Sequence, residues 1–261
     1  MISGQGILRR LLAEAVSETK QRRAVISRSE VERRAARYSP QDFAAILRGS
    51  GLAVIAEVKQ RTPSMGVLTD DYQPASLAAA YDRGGASAIS VLTHGAGFGG
   101  SIEDLDTVRA ATGLPILRKD FITDPYQIVE ARAHGADAVL LIVAALQEVE
   151  LADLLTVAHR HGLAALVEVH DENEARAAVD AGAQVIGVNH RDLRTFDVDL
   201  SLTERLRPLI PSDRVLVAES GIKTRADARR MREAGADAIL AGEVLMRASD
   251  PAAVIRELRD D

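Results

Sequence analysis

Strands alternating with helices, closed into a parallel (β/α)8 barrel, is the fold class this sequence predicts. Three observations carry that prediction. Eight short runs of β-branched and aliphatic residues follow one another from residue 52 onward. Polar, Ala-, Arg- and Glu-rich segments of helical period separate them, the signature of βαβ units and a parallel sheet. Gly85-Ala86-Ser87-Ala88, Gly135-Ala136-Asp137-Ala138, Gly182-Ala183-Gln184-Val185 and Gly235-Ala236-Asp237-Ala238 each precede such a run, recurring every ~50 residues, or two βα units. In each repeat the glycine ends a helix and the small residues begin the next strand. Eight units within about 190 residues fit an α/β TIM barrel better than an open sheet. The chain, 1–261, then reads as a single barrel domain with residues 1–50 as an N-terminal helical extension.

In chain order, residues 5–37 read as helix, with Ile7, Leu11, Ala15 and Val31 at roughly helical spacing among Arg and Glu. A second helix starts at Ser39-Pro40-Gln41-Asp42. Ser39 serves as cap, Pro40 sits at the first helical position and Asp42 meets the positive helix end. Gly49 and Gly51 stop it. These helices are expected to pack across one end of the barrel. The strands follow as Leu52–Lys59, Ala86–Thr93, Leu114–Lys119, Ala138–Val143, Ala164–His170, Gln184–Asn189, Arg214–Glu219 and Ala238–Gly242.

Composition narrows the class of function. A chain of 261 residues buries an ample core without staples. The absence of cysteine removes disulfide frameworks, thiol catalysis and cysteine metal sites. A net charge of −6 with both signs interspersed argues against a nucleic-acid footprint. The charged N-terminus lacks the apolar core of a signal peptide. No window approaches the ~20 apolar residues that span a bilayer. The expectation is a soluble cytoplasmic protein without nucleic-acid or membrane partners.

A parallel strand buried on both faces should be apolar throughout, so charges at strand ends stand out. The first strand ends Glu57-Val58-Lys59, with Glu57 and Lys59 on one face by the period of two. The third ends Arg118-Lys119-Asp120, and the fifth ends Glu168-Val169-His170. The sixth ends Asn189-His190-Arg191 and the seventh Glu219-Ser220-Gly221. In a barrel these C-terminal ends converge on the rim where catalysis occurs. Lysines, glutamates, an arginine and an asparagine without a histidine cluster suit acid–base work on an anionic substrate more than metal hydrolysis. Crowding with Arg191 would lower the pKa of Lys59 or Lys119, and carboxylates would raise it; both outcomes stay open at this level. Ser220-Gly221 and Gly242-Glu243, after strands seven and eight, match the usual barrel phosphate site, which implies a phosphorylated substrate.

Other motifs carry less. Gly95-x-Gly97-x-x-Gly100 matches a dinucleotide fingerprint, but it falls in the second of eight units and reads better as a mobile Gly-rich loop over the rim. His159 and His161 suit a helix C-terminus and lack a third metal ligand. The Arg pairs at 22–23, 33–34 and 229–230 read as solvated helix faces.

The strand-end motifs together resemble the indole-3-glycerol phosphate synthase family over essentially the whole length. The stretches that carry the resemblance include Ala56-Glu57-Val58-Lys59 with Thr62-Pro63-Ser64, and Leu117-Arg118-Lys119-Asp120-Phe121 with Asp124-Pro125-Tyr126-Gln127. Leu166-Val167-Glu168-Val169-His170, Gly187-Val188-Asn189, Arg191-Asp192-Leu193 and Ala218-Glu219-Ser220-Gly221-Ile222 complete them. The resemblance implies closure of the pyrrole ring of 1-(2-carboxyphenylamino)-1-deoxyribulose 5-phosphate with loss of CO2 and water, in tryptophan biosynthesis, without metal or organic cofactor. The alternative is another phosphosugar barrel enzyme, of the Amadori isomerase type, or a paralogue with altered substrate.

By the same resemblance Lys119 protonates the ribulose carbonyl oxygen, and Glu168 takes or relays a proton in the dehydration half. Glu57 and Asn189 position these groups, while Lys59 and Arg191 hold substrate anions. The second proton comes from one of the two lysines. Ser220, Gly221, Gly242 and Glu243 would cradle the phosphate through backbone N–H groups. Phe98, Phe121, Leu140, Ile142 and Leu193 would line the slot for the anthranilate ring, and Thr62, Ser64 and Glu219 would contact substrate. The partner is this small phosphosugar–anthranilate molecule, and the chain is expected to be a monomer, with weak self-association as the other reading. Four positions depart from the family pattern: Thr62 for serine, His94 for an acidic residue, His190 for asparagine and Val244 for serine.

Overall fold

Eight parallel strands hydrogen-bond in a closed ring in the computed structural model, which describes residues 4–49, 51–63, 65–192 and 195–259. They are β1 (Ala53–Val58), β2 (Ala88–Leu92), β3 (Ile116–Lys119), β4 (Ala138–Ile142), β5 (Ala164–Val169), β6 (Val185–Asn189), β7 (Val215–Glu219) and β8 (Ala238–Ala241). Each pairs with its neighbour in sequence, and β8 returns to β1 with Ala53 opposite Ala238. The predicted barrel is therefore present, with strand limits within two residues of those read from the sequence.

Three helices precede the barrel: α1 (Gly4–Val25), α2 (Arg28–Ala35) and α3 (Phe43–Leu47). Among the described residues the outer ring follows as α4 (Pro74–Gly84) after β1, the one-turn α5 (Gly95–Phe98) and α6 (Glu103–Ala111) after β2, and α7 (Pro125–Ala133) after β3. Then come α8 (Glu148–Arg160), α9 (Glu172–Asp180), α10 (Leu202–Leu206), α11 (Arg225–Glu233), the one-turn α12 (Glu243–Met246) and α13 (Pro251–Arg259).

The period of two sorts every strand into two faces. Val54, Ala56 and Val58 point outward into the layer between sheet and helices, with Val139, Leu141, Val167, Ile186 and Leu216. Ala53 and Ile55 point inward with Leu117, Leu140, Leu166, Val185, Val215 and Leu240, filling the barrel. Continuing each inward row toward the C-terminal end brings Glu57, Lys119, Glu168, Asn189 and Glu219 to one mouth.

The N-terminal extension differs from expectation in three ways. The predicted single helix 5–37 is broken at Ile26-Ser27, because Ser27 caps a new helix by accepting from the Glu30 N–H at 3.3 Å. The next helix starts at Phe43 rather than Pro40, since Asp42 is its cap, accepting from Ala45 N–H at 3.0 Å. The extension also covers both ends of the barrel, not one. Phe43 and Leu47 of α3 are fully buried as a plug under the N-terminal mouth, while Leu11 of α1 reaches the cavity at the C-terminal rim. Between them α2 packs Val31 and Ala35 against Tyr126 and Val129 of α7.

The internal repeat has a physical basis. Asp137 donates its backbone N–H to the Ile116 carbonyl at 2.8 Å and accepts the Ile116 N–H on its carboxylate at 2.7 Å. Asp237 does the same to Leu216, at 2.9 and 2.8 Å. Each aspartate thus ties the start of one strand to the preceding one. Asp137 also accepts from the Gln41 N–H at 2.7 Å and the Tyr38 hydroxyl at 2.8 Å, fastening the extension to the barrel floor. Asp137→Ala is expected to cost about 3 kcal/mol, because several hydrogen bonds to one buried carboxylate are lost together. Asp237→Ala should cost less, and urea unfolding of the two variants checks the order.

Candidate active site

The cavity at the C-terminal rim is lined by Glu57, Lys59, Thr62, Lys119, Glu168, Asn189, Arg191 and Glu219. Phe98, Phe121, Leu140 and Ile142 form its apolar side, and Ser220, Gly221, Gly242 and Glu243 its far wall. Every site residue expected from the sequence is thus brought to this cavity except Ser64 and Leu193, which lie outside the described residues.

Lys119 is its electrostatic centre. Its Nζ stands 3.3 Å from Glu219, 3.6 Å from Glu57 and 3.7 Å from Glu168, carboxylates delivered by three different strands. Glu57 is also paired with Lys59 two residues on. Burial alone would lower Lys119, but Glu219, Glu57 and Glu168 together outweigh it and raise its pKa well above the ordinary lysine value. For Lys119 the three carboxylates therefore prevail over burial, and its side chain is held as the ammonium.

The carboxylates divide in character. Burial would raise Glu168, yet Lys119, His170 and the Asn189 amide bring it down to about 2, so it is ionised and able to accept a proton. Glu57 is likewise lowered against its burial by Lys59 and Lys119. Glu219 goes the other way, pushed up to about 7 by burial and by Glu168 and Glu57, despite Lys119. Neither of its buried oxygens has a well-aligned hydrogen-bond donor. Space for this carboxylate exists because position 187 is glycine: a Cβ there would overlap Glu219 Oε1.

The sign of the resulting pH dependence follows. Folding favours the protonated form of Glu219, so its contribution to stability is full below its ordinary 4.5 and is lost as pH rises through about 7. Glu219→Gln is expected to raise the thermal midpoint at about pH 8 and to flatten the decline across that window, which calorimetry at several pH values checks.

At the far wall, Ser220 and Gly221 are both left-handed, with φ of 65° and 79°. Both residues line the cavity wall, where backbone N–H groups of a turn can meet an anion. His190 holds the turn: its Nδ1–H donates to the Ser220 carbonyl at 2.8 Å, and its Nε2 accepts from the Thr203 hydroxyl at 2.7 Å. Burial lowers its pKa, so it stays neutral. Gly242 lies beside Glu57 and Lys59, where a Cβ would come within 2.5 Å of Glu57 Oε1. The Glu243 carboxylate faces Arg191 at 3.9 Å, so an anion would meet its backbone rather than its side chain.

The apolar side was only partly legible. Phe98 and Phe121 stand 6.3 Å apart, and His94 meets Phe121 edge-on at 5.3 Å. The Gly95–Gly100 segment, expected as a mobile loop, opens with the one-turn α5, which ends at the left-handed Gly99. His94 caps it by accepting from the Gly97 N–H at 3.0 Å, and its Nε2–H donates to the Leu11 carbonyl of α1 at 3.2 Å. Ile7, Leu8 and Leu11 of α1 complete the slot, and sequence reasoning missed all three. Their helical stripe marks a buried face but not which end of the barrel covers it.

The family model for indole-3-glycerol phosphate synthase matches residues 8–258. The chain belongs to the indole-3-glycerol phosphate synthase family. It is 58% identical to indole-3-glycerol phosphate synthase 2 of Streptomyces coelicolor, over 97% of this chain and 98% of that one. The enzyme of Mycolicibacterium vanbaalenii is 53% identical over 91% of this chain and 88% of its own. Among solved structures, 3-hexulose-6-phosphate synthase superposes with a TM-score of 0.62 at 19% identity, covering 80% of this chain and 98% of that chain, a likeness of fold alone. Members of the synthase family are carboxy-lyases of tryptophan biosynthesis, and these relatives do not favour the isomerase alternative. Among the described residues no helix is long and apolar enough to cross a membrane.

Proposed function

We propose that this synthase-family site closes the pyrrole ring of 1-(2-carboxyphenylamino)-1-deoxyribulose 5-phosphate with Lys119 as general acid and Glu168 as general base. The observation that carries the assignment is the lysine ammonium set among three carboxylates, between an apolar slot and a left-handed Ser220-Gly221 turn. The slot takes the anthranilate ring, the turn and Gly242 take the phosphate, and the ribulose carbonyl falls beside Lys119.

The ring carbon bearing the carboxylate attacks the carbonyl carbon while Lys119 protonates its oxygen. The bond to the carboxylate then breaks, CO2 leaves and the ring regains its aromatic electrons. The new hydroxyl departs as water with a second lysine-derived proton, and Glu168 takes the proton released as the pyrrole double bond forms. Two protons are given and one is taken, which balances the loss of a carboxylate as neutral CO2. Lys59 and Arg191 hold substrate anions, Glu57 and Asn189 orient the reacting groups, and Glu219 contacts substrate beside Lys119. Holding the ring above the carbonyl at near-attack distance contributes through orientation. The same reading makes the protein a cytoplasmic monomer that works without metal or organic cofactor.

The test uses the chain's lack of tryptophan. Enzyme mixed with the carboxyphenylamino-deoxyribulose phosphate in the presence of a chelator should develop indole fluorescence in proportion to enzyme. No rise, with binding retained, would assign the site to an altered substrate.

A further inference from the structure

Glu168 has a second neighbour that the reaction as described leaves unused. Its Oε2 faces Lys119 at 3.7 Å, while its Oε1 faces His170 Nε2 at 3.2 Å. That ring nitrogen is sealed from solvent and has no well-aligned hydrogen-bond partner, so it meets Glu168 as a close charge contact. The opposite nitrogen, Nδ1, donates to Glu174 Oε2 at 3.0 Å, and the same oxygen accepts the His170 backbone N–H at 2.8 Å. Glu174 is in turn fixed in the first turn of α9, where Asp171 accepts its N–H at 2.9 Å. A carboxylate therefore faces each ring nitrogen, an arrangement that favours the doubly protonated imidazolium.

We propose that His170, clamped by Glu174, is a positioning residue for the reaction: it occupies Oε1 of Glu168 and leaves Oε2 as the oxygen that exchanges protons with substrate. This rests on Glu168 being the base. The local sequence builds the clamp economically. The period of two aims Glu168 and His170 the same way, and the tight β5–α9 turn returns Glu174 beneath the ring four residues later. Burial would lower His170, but Glu168 and Glu174 push it up to about 10, which agrees with a fixed imidazolium. The charged groups around Glu168 are Lys119 from β3, Glu57 from β1, Glu219 from β7 and His170 itself. Beyond His170, the neighbouring cleft is lined by Arg9 of α1 and by Asp171, Glu174 and Asp192.

The experiment measures kcat and KM for His170→Ala, His170→Gln, Glu174→Gln, Glu168→Gln and the His170→Ala/Glu168→Gln double variant, with thermal midpoints alongside. His170→Ala is expected to lose about ten- to a hundredfold in kcat with KM within about twofold, the mark of lost alignment rather than lost binding. His170→Gln keeps an N–H donor at the Nε2 position and should recover most of that loss. On the Glu168→Gln background, His170→Ala should remove nothing further, because the group it aligns is gone. Nitrogen-15 NMR should show the His170 ring doubly protonated at about pH 8 in the parent, and titrating closer to the free-imidazole range in Glu174→Gln.

The proposal is overturned if His170→Ala keeps kcat within about twofold while Glu168→Gln is inactive. It is also overturned if the loss appears in KM, or if it multiplies unchanged on the Glu168→Gln background. A fully active Glu168→Gln would instead sink the general-base reading, and the proposal with it. Should His170→Ala fold poorly, Glu174→Gln, which releases the clamp and keeps the ring, carries the same comparison: a fall in kcat with KM held supports the proposal, and parent kcat overturns it.

Discussion

Lys119→Ala should lower kcat by about a thousandfold, within the 10²–10⁴ range that a positioned general acid contributes. The reason is geometric as well as chemical. No other ammonium in the described cavity is placed among Glu57, Glu168 and Glu219 at once; Lys59 is engaged with Glu57 from the rim side. Alanine also leaves three buried carboxylates around an empty centre, so part of any loss would come from rearrangement. Lys119→Arg separates the two effects. It keeps the cation among the carboxylates and holds the thermal midpoint near the parent, but a guanidinium does not surrender its proton near neutral pH. Turnover should therefore stay low in Lys119→Arg while folding is retained. Activity of either variant at the parent rate would remove Lys119 from the role of acid.

Arg118→Leu is expected to produce the largest loss of stability, about 3–5 kcal/mol, since it strips the partner from buried charges. Arg118 precedes Lys119 but faces the opposite way, into the layer between sheet and helices, where it has no solvent exposure. Its guanidinium donates to Glu130 at 2.9 Å, Asp120 at 2.9 Å, the Gln127 carbonyl at 2.7 Å and the Thr93 hydroxyl at 3.2 Å. Glu130 also accepts from Arg22 of α1 at 2.9 Å, so this chain of charges ties the extension to the back of β3. Arg118→Leu leaves Asp120 buried without its cation, and Glu130 with Arg22 alone. A fall of roughly 10 °C in the thermal midpoint would match that magnitude for a chain of this size. The double variant with Glu130→Gln should recover part of the loss; failure to do so would mean that the packing of the long side chain, not its charge, was what mattered.

Arg118 and Lys119 also mark the boundary of what the sequence discloses. The alternation of strand and helix, the number of units and the convergence of polar strand ends follow from periodicity, because a buried strand must alternate its faces and a parallel strand must be recrossed by a helix. Glu57, Lys119, Glu168, Asn189 and Glu219 were legible as rim residues on that ground. The roles assigned to them came from family resemblance rather than from spacing. Arg118 looked like one more rim charge, and only the direction of its side chain shows that it holds the scaffold. His170 pointed the same way as Glu168 by periodicity, yet its clamp needs Glu174 brought back by the β5–α9 turn. Ser27 and Asp42 carried cap chemistry in plain view, and the break at Ser27 was missed because apolar spacing resumes beyond it.

Two matters belonged to the tertiary structure alone. One is the placement of the extension: α3 plugs one mouth and α1 lends Ile7, Leu8 and Leu11 to the other. An amphipathic stripe records that a face is buried and nothing about the surface that buries it. The other is protonation. Two lysines and three glutamates at the strand ends are legible in the sequence, but which carboxylates ionise depends on separations of a few ångströms and on exclusion of water. Sequence alone determined the barrel and the residues brought to its mouth, because both follow from local period and chain order. The charge on each of those residues was decided by distances across the closed ring, between strands far apart in the chain.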